Sequence, residues 1–328
     1  MPSTSLRSRD RGATAGGGAQ APGRTAVPPP TGRARRRRSH GERHALWFVA
    51  PFVVLFLGTY VAPIVFALVK SLFRIQRDAL GLGGTQEVFD PLFNYAYAVG
   101  DTAFLRSIGR VLLFGGVQVP VMLGLALAMA LLIDSASARG KGFFRLAAFA
   151  PYAVPTVISA LMWSFLYSRD RSPVNEVLAT WGLQVDFLGQ DLALWAVANV
   201  VTWGWTGYNM IIIYAALQTV PGEVVEAAKI DGASPWRIAW SVKVPLVRPA
   251  LLLTAIFSII GSAQLYNEPF VLQQGTGAID ARYTPIMAAQ ASLQAANYPY
   301  AAAQSVLLAV GVAALSVTFF RLTSRGAR

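Results

Sequence analysis

Six stretches of this chain are almost wholly apolar, and each is about as long as a membrane crossing. They fall at residues 46–69, 111–133, 146–168, 192–218, 250–272 and 301–320. A helix crossing the hydrocarbon core of a bilayer needs ~20 such residues. The second, VLLFGGVQVPVMLGLALAMALLI, carries no charge. The pattern predicts an all-α membrane protein with six transmembrane helices. Glu268 is the one charged residue within these ranges. It is expected near the outer surface, on a solvated rim or in contact with a binding protein. Pro51, Pro63, Pro120, Pro151 and Pro155 fall inside the spans. Each removes a backbone hydrogen bond, and they read mainly as packing kinks.

The polar stretches between spans are short, with one informative exception. Residues 226–249 read EAAKIDGASPWRIAWSVKVPLVRP and join the fourth and fifth spans. Pro221 suits the first turn of a helix, with Glu223 near its positive end. A short helix is predicted over 222–231. Gly232 supplies the left-handed residue that stops it. Ser234 and Pro235 form a second start signal, a side-chain cap followed by proline. The second helix is expected to run to about Val244, with Pro245 ending or bending it. Glu226, Ala227 and Ala228 give the first helix a small, smooth face beside a carboxylate, and Lys229 and Asp231 add charge. Such a face suits close approach by another protein, or it is a solvated loop.

Composition agrees with a membrane protein: 13% of the 328 residues are charged and the mean hydropathy is +0.46. Soluble domains carry about 25% charged residues. There is no cysteine, so disulfides, thiolate metal sites and a Cys nucleophile are excluded. His40 and His44, the two histidines, lie in or beside the N-terminal arm. A histidine metal site or triad in the folded part is thereby excluded.

The net charge of +12 is unevenly spread, since residues 1–43 hold ten arginines against Asp10 and Glu42. This arm is rich in Gly, Ala, Pro and Ser and is expected to be disordered and cytoplasmic. The run RARRRR at 33–38 could suggest nucleic acid. It is read instead as a flank that orients the first span and meets anionic lipid headgroups. The first span follows a long basic arm, exceeds a typical signal core and lacks a clear cleavage site, so it is expected to remain as an anchor. With the N-terminus inside, the inner segments 1–45, 134–145, 219–249 and 321–328 hold 20 of the 28 basic residues. Both termini are therefore expected in the cytoplasm of a bacterial cell, with residues 44–328 forming the membrane domain.

The 226–249 stretch resembles the EAA loop of the permease subunits of binding-protein-dependent ABC importers. Glu226, Ala227, Ala228 and Gly232 match the family pattern, which ends in hydrophobic-Leu-Pro. Lys243-Val244-Pro245 departs from it, with Val for Leu. The resemblance covers roughly residues 45–322. SAQLYNEPFVL (262–272), NYPYAAAQSVLLAV (297–310) and PLFNYAYAV (91–99) resemble the carbohydrate branch, which includes the larger maltose permease subunit and the glycerol-phosphate permease.

That resemblance implies a permease core whose EAA helix docks on an ATPase subunit. Glu226 would form a salt bridge, Ala227 and Ala228 the contact surface and Gly232 the turn, with Asp231 and Pro245 in the same element. It implies two ATPase subunits, a second permease subunit and an extracytoplasmic solute-binding protein. ATP and magnesium would belong to the ATPase. This chain would bind no cofactor and would not be an enzyme, and it has no G-x-x-x-x-G-K-[ST] motif.

Polar residues in membrane helices mark candidate translocation paths. Asn199, Tyr208 and Asn209 in the fourth span qualify, as do Gln264, Tyr266, Asn267 and Glu268 in or after the fifth. Amides and aromatic rings suit sugars. Trp203 and Trp205 cannot be separated by sequence. Other solutes remain open, glycerol phosphate among them. A phosphate would want a buried arginine, and Arg110, expected at the outer edge of the second span, is the candidate. A secondary transporter would want a buried charge inside a span.

Overall fold

The computed structural model of the chain describes residues 41–77, 84–135, 138–169 and 172–325. Residues 1–40 lie outside them, and with these residues the expectations of a disordered, lipid-contacting arm. The chain divides into two units, residues up to Leu55 and Phe56–Arg328.

Helix α1 (Gly41–Phe56) leads to a π turn at Leu57–Val61 and then α2 (Ala62–Lys70). The ring of Pro63 clashes with the carbonyl four residues back, that of Thr59, and the helix widens at that turn. Strands β1 (Phe73–Arg77) and β2 (Thr85–Phe89) follow as an antiparallel pair, Phe73 opposite Phe89. This hairpin departs from the all-α expectation. Its residues are too few and too polar to register as a span, and Lys70 ties it back through a 2.5 Å ion pair with Glu87. Helix α3 (Phe93–Gly100) is pinned by Asn94, whose side-chain amide donates to the carbonyls of Ser71 (3.1 Å) and Phe73 (2.5 Å).

Helix α4 (Thr102–Asp134) is 33 residues long and starts nine residues before the expected second span. The reason is its cap: Asp101 Oδ1 accepts from the amides of Ala103 and Phe104, at 3.0 and 3.3 Å. The Tyr300 hydroxyl donates to the other oxygen at 2.8 Å, and Arg282 lies 3.5 Å away. Burial pushes the Asp101 carboxyl up, but these four partners outweigh it and hold it below its ordinary value. Arg110 comes one residue before the expected second span. It lies within α4, its guanidinium 4.0 Å from the Tyr283 ring centre and donating to the Tyr283 carbonyl at 2.6 Å.

The expected third span is broken. Helix α5 (Lys141–Ala153) and α6 (Thr156–Tyr167) meet at a 91° bend. Pro155 forbids helical backbone at Val154 and lacks an amide to continue the ladder, so this proline is a corner rather than a packing kink. A short helix, α7 (Pro173–Ala179), precedes α8 (Ala193–Leu217). Helix α8 is the centre of the bundle: α4, α5 and α12 (Arg248–Ala263) all pack on it, and Val197, Met210 and Ile213 are fully buried.

Between α8 and α12 lie α9 (Gly222–Ile230), α10 (Pro235–Ile238), a π turn at Ala239–Lys243 and α11 (Val244–Leu246). Pro245 therefore sits inside helical backbone rather than ending it. The fifth apolar segment is also interrupted, at Gln264–Tyr266, before α13 (Asn267–Leu272) and a 3-10 turn. Helices α14 (Pro285–Gln294) and α15 (Tyr298–Arg325) complete the chain. Among the described residues four helical segments are long and apolar enough to cross a membrane, or six if each of two bent pairs counts as one.

Glycine decides one crossing. A Cβ on Gly207 would lie 1.8 Å from the carbonyl oxygen of Ala148, so α5 and α8 touch backbone to backbone. Small residues permit this approach in membrane helices.

Candidate functional site

Two features stand out, a cavity in the bundle lined by apolar, aromatic and polar side chains and the structured loop between α8 and α12. The cavity, of about 300 Å³, lies where α4, α8 and the broken α12–α13 segment converge. Tyr208 and Asn209 reach it from α8, and Gln264, Tyr266, Asn267 and Glu268 from the break and the start of α13. The break is what makes this possible. Interrupted backbone at membrane depth is tolerated where it lines a cavity. Glu268 is 7% exposed and lines the cavity, so of the positions expected for it the solvated rim does not hold, whereas its place among the path candidates fits. The turn at Gln264–Tyr266 redirects the chain and carries the residue inward.

Asn199 is not among the cavity residues. Its amide donates to the Tyr167 hydroxyl at 2.7 Å, an interhelical bond between α8 and α6. Two residues short of a helical turn's multiple from Tyr208, it faces another side of α8. The structure also separates the two tryptophans. Trp205 lines the cavity, whereas Trp203 lies edge-on to Trp163 at 5.9 Å. Tyr152, Trp205 and Tyr208 form an aromatic cluster, with the two tyrosines stacked at 4.8 Å.

Gln118 was missed in the sequence, although a lone amide in the apolar second span was a visible signal. It is 2% exposed and stitches three helices. Its amide nitrogen donates to Thr202 on α8 at 3.3 Å, and its oxygen accepts from Ser262 on α12 at 3.3 Å. Asn209 is equally buried and donates to the Trp205 carbonyl at 3.0 Å. The cavity floor is thus a fixed amide network with oxygen and nitrogen groups beside aromatic faces. Among the described residues no group of three or more His, Cys, Asp or Glu side chains could hold a metal.

The loop is closed by its own hydrogen bonds. Gly232 has φ +77°, its amide bonds the Lys229 carbonyl, and the amide of Ala233 bonds that of Ala228, both at 3.0 Å. This is the Schellman closure of α9. Ser234 Oγ accepts from the Arg237 amide at 3.3 Å, and Pro235 opens α10. Glu226, Ala227, Asp231, Gly232 and Pro245 are exposed, and Ala228 is half-buried. Ile230 and Trp236 are exposed too, at 87% and 73%, around the buried anchor Ile238. Lys243 and Asp134 form an ion pair that joins the loop to the end of α4, and Gln218 donates to the other Asp134 oxygen at 2.7 Å.

A helical bundle with broken helices, a cavity that brings polar side chains together inside it and a structured helical loop is the architecture of a membrane transport component. The chain belongs to the family of binding-protein-dependent transport system inner membrane components, whose model matches residues 118–325. It is 32% identical to the lactose transport system permease protein LacF of Rhizobium radiobacter over 70% of this chain and 76% of that one. It is 29% identical to the sn-glycerol-3-phosphate transport system permease protein UgpA of Agrobacterium fabrum, over 84% and 93%. Identity to the diacetylchitobiose uptake system permease protein NgcF of Streptomyces coelicolor is 32%, over 74% and 70%. The fold matches a chain of a bacterial alginate ABC transporter solved with a periplasmic protein bound to alginate pentasaccharide. The TM-score is 0.74 at 18% identity, covering 88% of this chain and 98% of that one.

Proposed function

We propose that this chain is one permease subunit of an ATP-driven sugar importer. The solute passes through the cavity between α4, α8 and α12–α13, delivered by an extracytoplasmic binding protein. A second permease subunit completes the path, and a pair of ATPase subunits binds the loop. ATP and magnesium act on those ATPase subunits, and this chain hydrolyses nothing. Both termini and the loop lie in the cytoplasm.

One observation carries the reading: α9, closed at its C-terminal end by Gly232, leaves Glu226, Ala227 and Ile230 uncovered, and Trp236 of α10 is exposed as well. Uncovered apolar surface of this kind marks a partner site. The alanines let a groove wall approach closely, and Glu226 supplies one charge for a basic residue in that groove. The loop's ties to α4 and α8 then carry motion of the ATPase into the cavity walls. The cavity supports sugar as cargo, because its amides meet hydroxyl groups and Trp205 and Tyr208 offer faces to an apolar ring.

The test is co-purification from the native host through a C-terminal tag, in mild detergent, of the wild type and Glu226→Arg. Wild type is expected to bring an ATPase and a second permease in stoichiometric amount. Glu226→Arg is expected to lose at least ~10-fold of the ATPase, since like charges now meet across the groove, and to keep the second permease. Wild type emerging alone, even after crosslinking, would refute the reading.

A further inference from the structure

The relatives of this chain are named for two kinds of solute. Lactose and diacetylchitobiose are neutral, whereas sn-glycerol-3-phosphate is an anion. Alginate, carried by the structural neighbour, is described as acidic. Similarity alone therefore does not choose between a neutral and an anionic cargo.

The charge of the cavity does choose. Among its described lining residues Glu268 is the single charged side chain, and no Lys, Arg or His joins it. A site for a phosphate or carboxylate is built from arginines, lysines or aimed backbone amides. Arg110, the candidate cation for such a site, is committed elsewhere: it lies on the Tyr283 ring, bonds the Tyr283 carbonyl and does not line the cavity. Among the described residues no cation is ion-paired with Glu268. An ionisable side chain that is 93% buried in a membrane helix bundle carries a standing cost. Packing alone would be met as well by glutamine, whose shape is the same. Gln118, Asn209, Gln264 and Asn267 show that the cavity already uses amides freely.

We propose that Glu268 is a charge filter: it confines this permease to uncharged sugars and turns away sugar acids and sugar phosphates. The carboxylate accepts hydrogen bonds from sugar hydroxyls, for which it is a stronger acceptor than an amide. An anion about 5 Å away, at an effective dielectric constant of ~20, would be disfavoured roughly 300-fold. The proposal rests on the cavity being the solute path, as proposed above.

The experiment uses the purified importer, this chain with its co-purifying partners and no binding protein added. Solute binding is read by thermal-shift titration. The neutral probes are lactose, maltose and N,N′-diacetylchitobiose, and the anionic probes are glucuronate and glycerol 3-phosphate. Wild type is expected to bind at least one neutral probe and to bind the anions at least ~10-fold more weakly. Glu268→Gln should shrink that ratio at least ~10-fold while changing neutral affinity less than ~3-fold. Glu268→Arg should reverse the preference. Wild type that binds an anionic probe as tightly as a neutral one overturns the filter, and so does a folded Gln variant that keeps the wild-type ratio. If the variants do not fold, the wild-type ratio still decides. Failure of the underlying path looks different: neutral probes bind as before in Tyr208→Ala and Asn209→Ala, or no probe of either charge binds wild type.

Discussion

Gly207→Leu is expected to abolish recovery of folded protein, and Gly207→Ala to lower the thermal midpoint clearly. A Cβ at this position meets the Ala148 carbonyl oxygen at 1.8 Å, its carbon at 2.6 Å and the Phe149 Cα at 3.0 Å. All three are backbone atoms, so no side chain can swing aside. The two helices must part by more than an ångström, and the packing along α5 and α8 goes with them. Overpacking of this kind costs about 1–3 kcal/mol, occasionally more, and a backbone clash belongs at the upper end. Gly204, one turn away on the same helix, is the internal control. Nothing lies within 4 Å of its Cβ. Gly204→Ala should therefore be neutral or stabilising, by up to ~1 kcal/mol, through helix propensity alone. Melting of the detergent-solubilised protein, followed by size-exclusion profile, reads both. Equal midpoints for the two alanine variants would mean that α5 and α8 do not cross at Gly207. The crossing also bears on the cavity, because α5 carries Tyr152 to the aromatic pair Trp205 and Tyr208.

None of this was legible at Gly207 itself. A glycine in an apolar span has no periodicity to report, and the partner that makes it indispensable is 59 positions away. The apolar segments were legible because membrane burial needs ~20 consecutive residues, a strong signal for any one helix. Their interior breaks were not. Pro155 was visible, but proline kinks and proline corners look alike in sequence, and the 91° bend is set by the helices packed around it. The break at Gln264–Tyr266 contains no proline at all. It was hidden, although Glu268 itself stood out as a polar residue of a candidate path.

Local chemistry was read more successfully. The Ser234 cap and the left-handed Gly232 follow from side-chain and backbone preferences that act within five residues. The cavity residues were partly legible for a different reason. Polarity in an apolar helix marks a residue that needs a partner, without saying whether the partner is solute or protein. Tyr208 and Asn209 proved to face the cavity, whereas Asn199, of the same type on the same helix, bonds Tyr167. Helical phase separates them, and phase is ambiguous on a helix that is apolar all round.

Lys243→Glu is expected to unfasten the loop from the bundle. Lys243 stands where the family's loop pattern has a hydrophobic residue, and the structure supplies the reason. Its ammonium meets Asp134 at the end of α4, with side-chain exposures of 19% and 13%. Removing one partner of a buried pair costs ~3–5 kcal/mol. This pair is slightly wet, so about 1–3 kcal/mol is the expected loss, more for the reversal because two carboxylates then face each other. Gln218 keeps its bond to Asp134, so the end of α8 should stay in place while α10, α11 and the π turn detach. The result to look for is a split: Lys243→Glu should keep most of the co-purifying ATPase, because the exposed face of α9 is untouched. Solute uptake should fall at least ~10-fold, because motion of the loop no longer reaches α4. The exchange of charges, Asp134→Lys with Lys243→Asp, should restore a good part of both midpoint and uptake, as a positioning pair would. Two single variants whose losses simply add in the double would show that the pair carries no coupling, and motion would then have to enter the bundle through α8 alone.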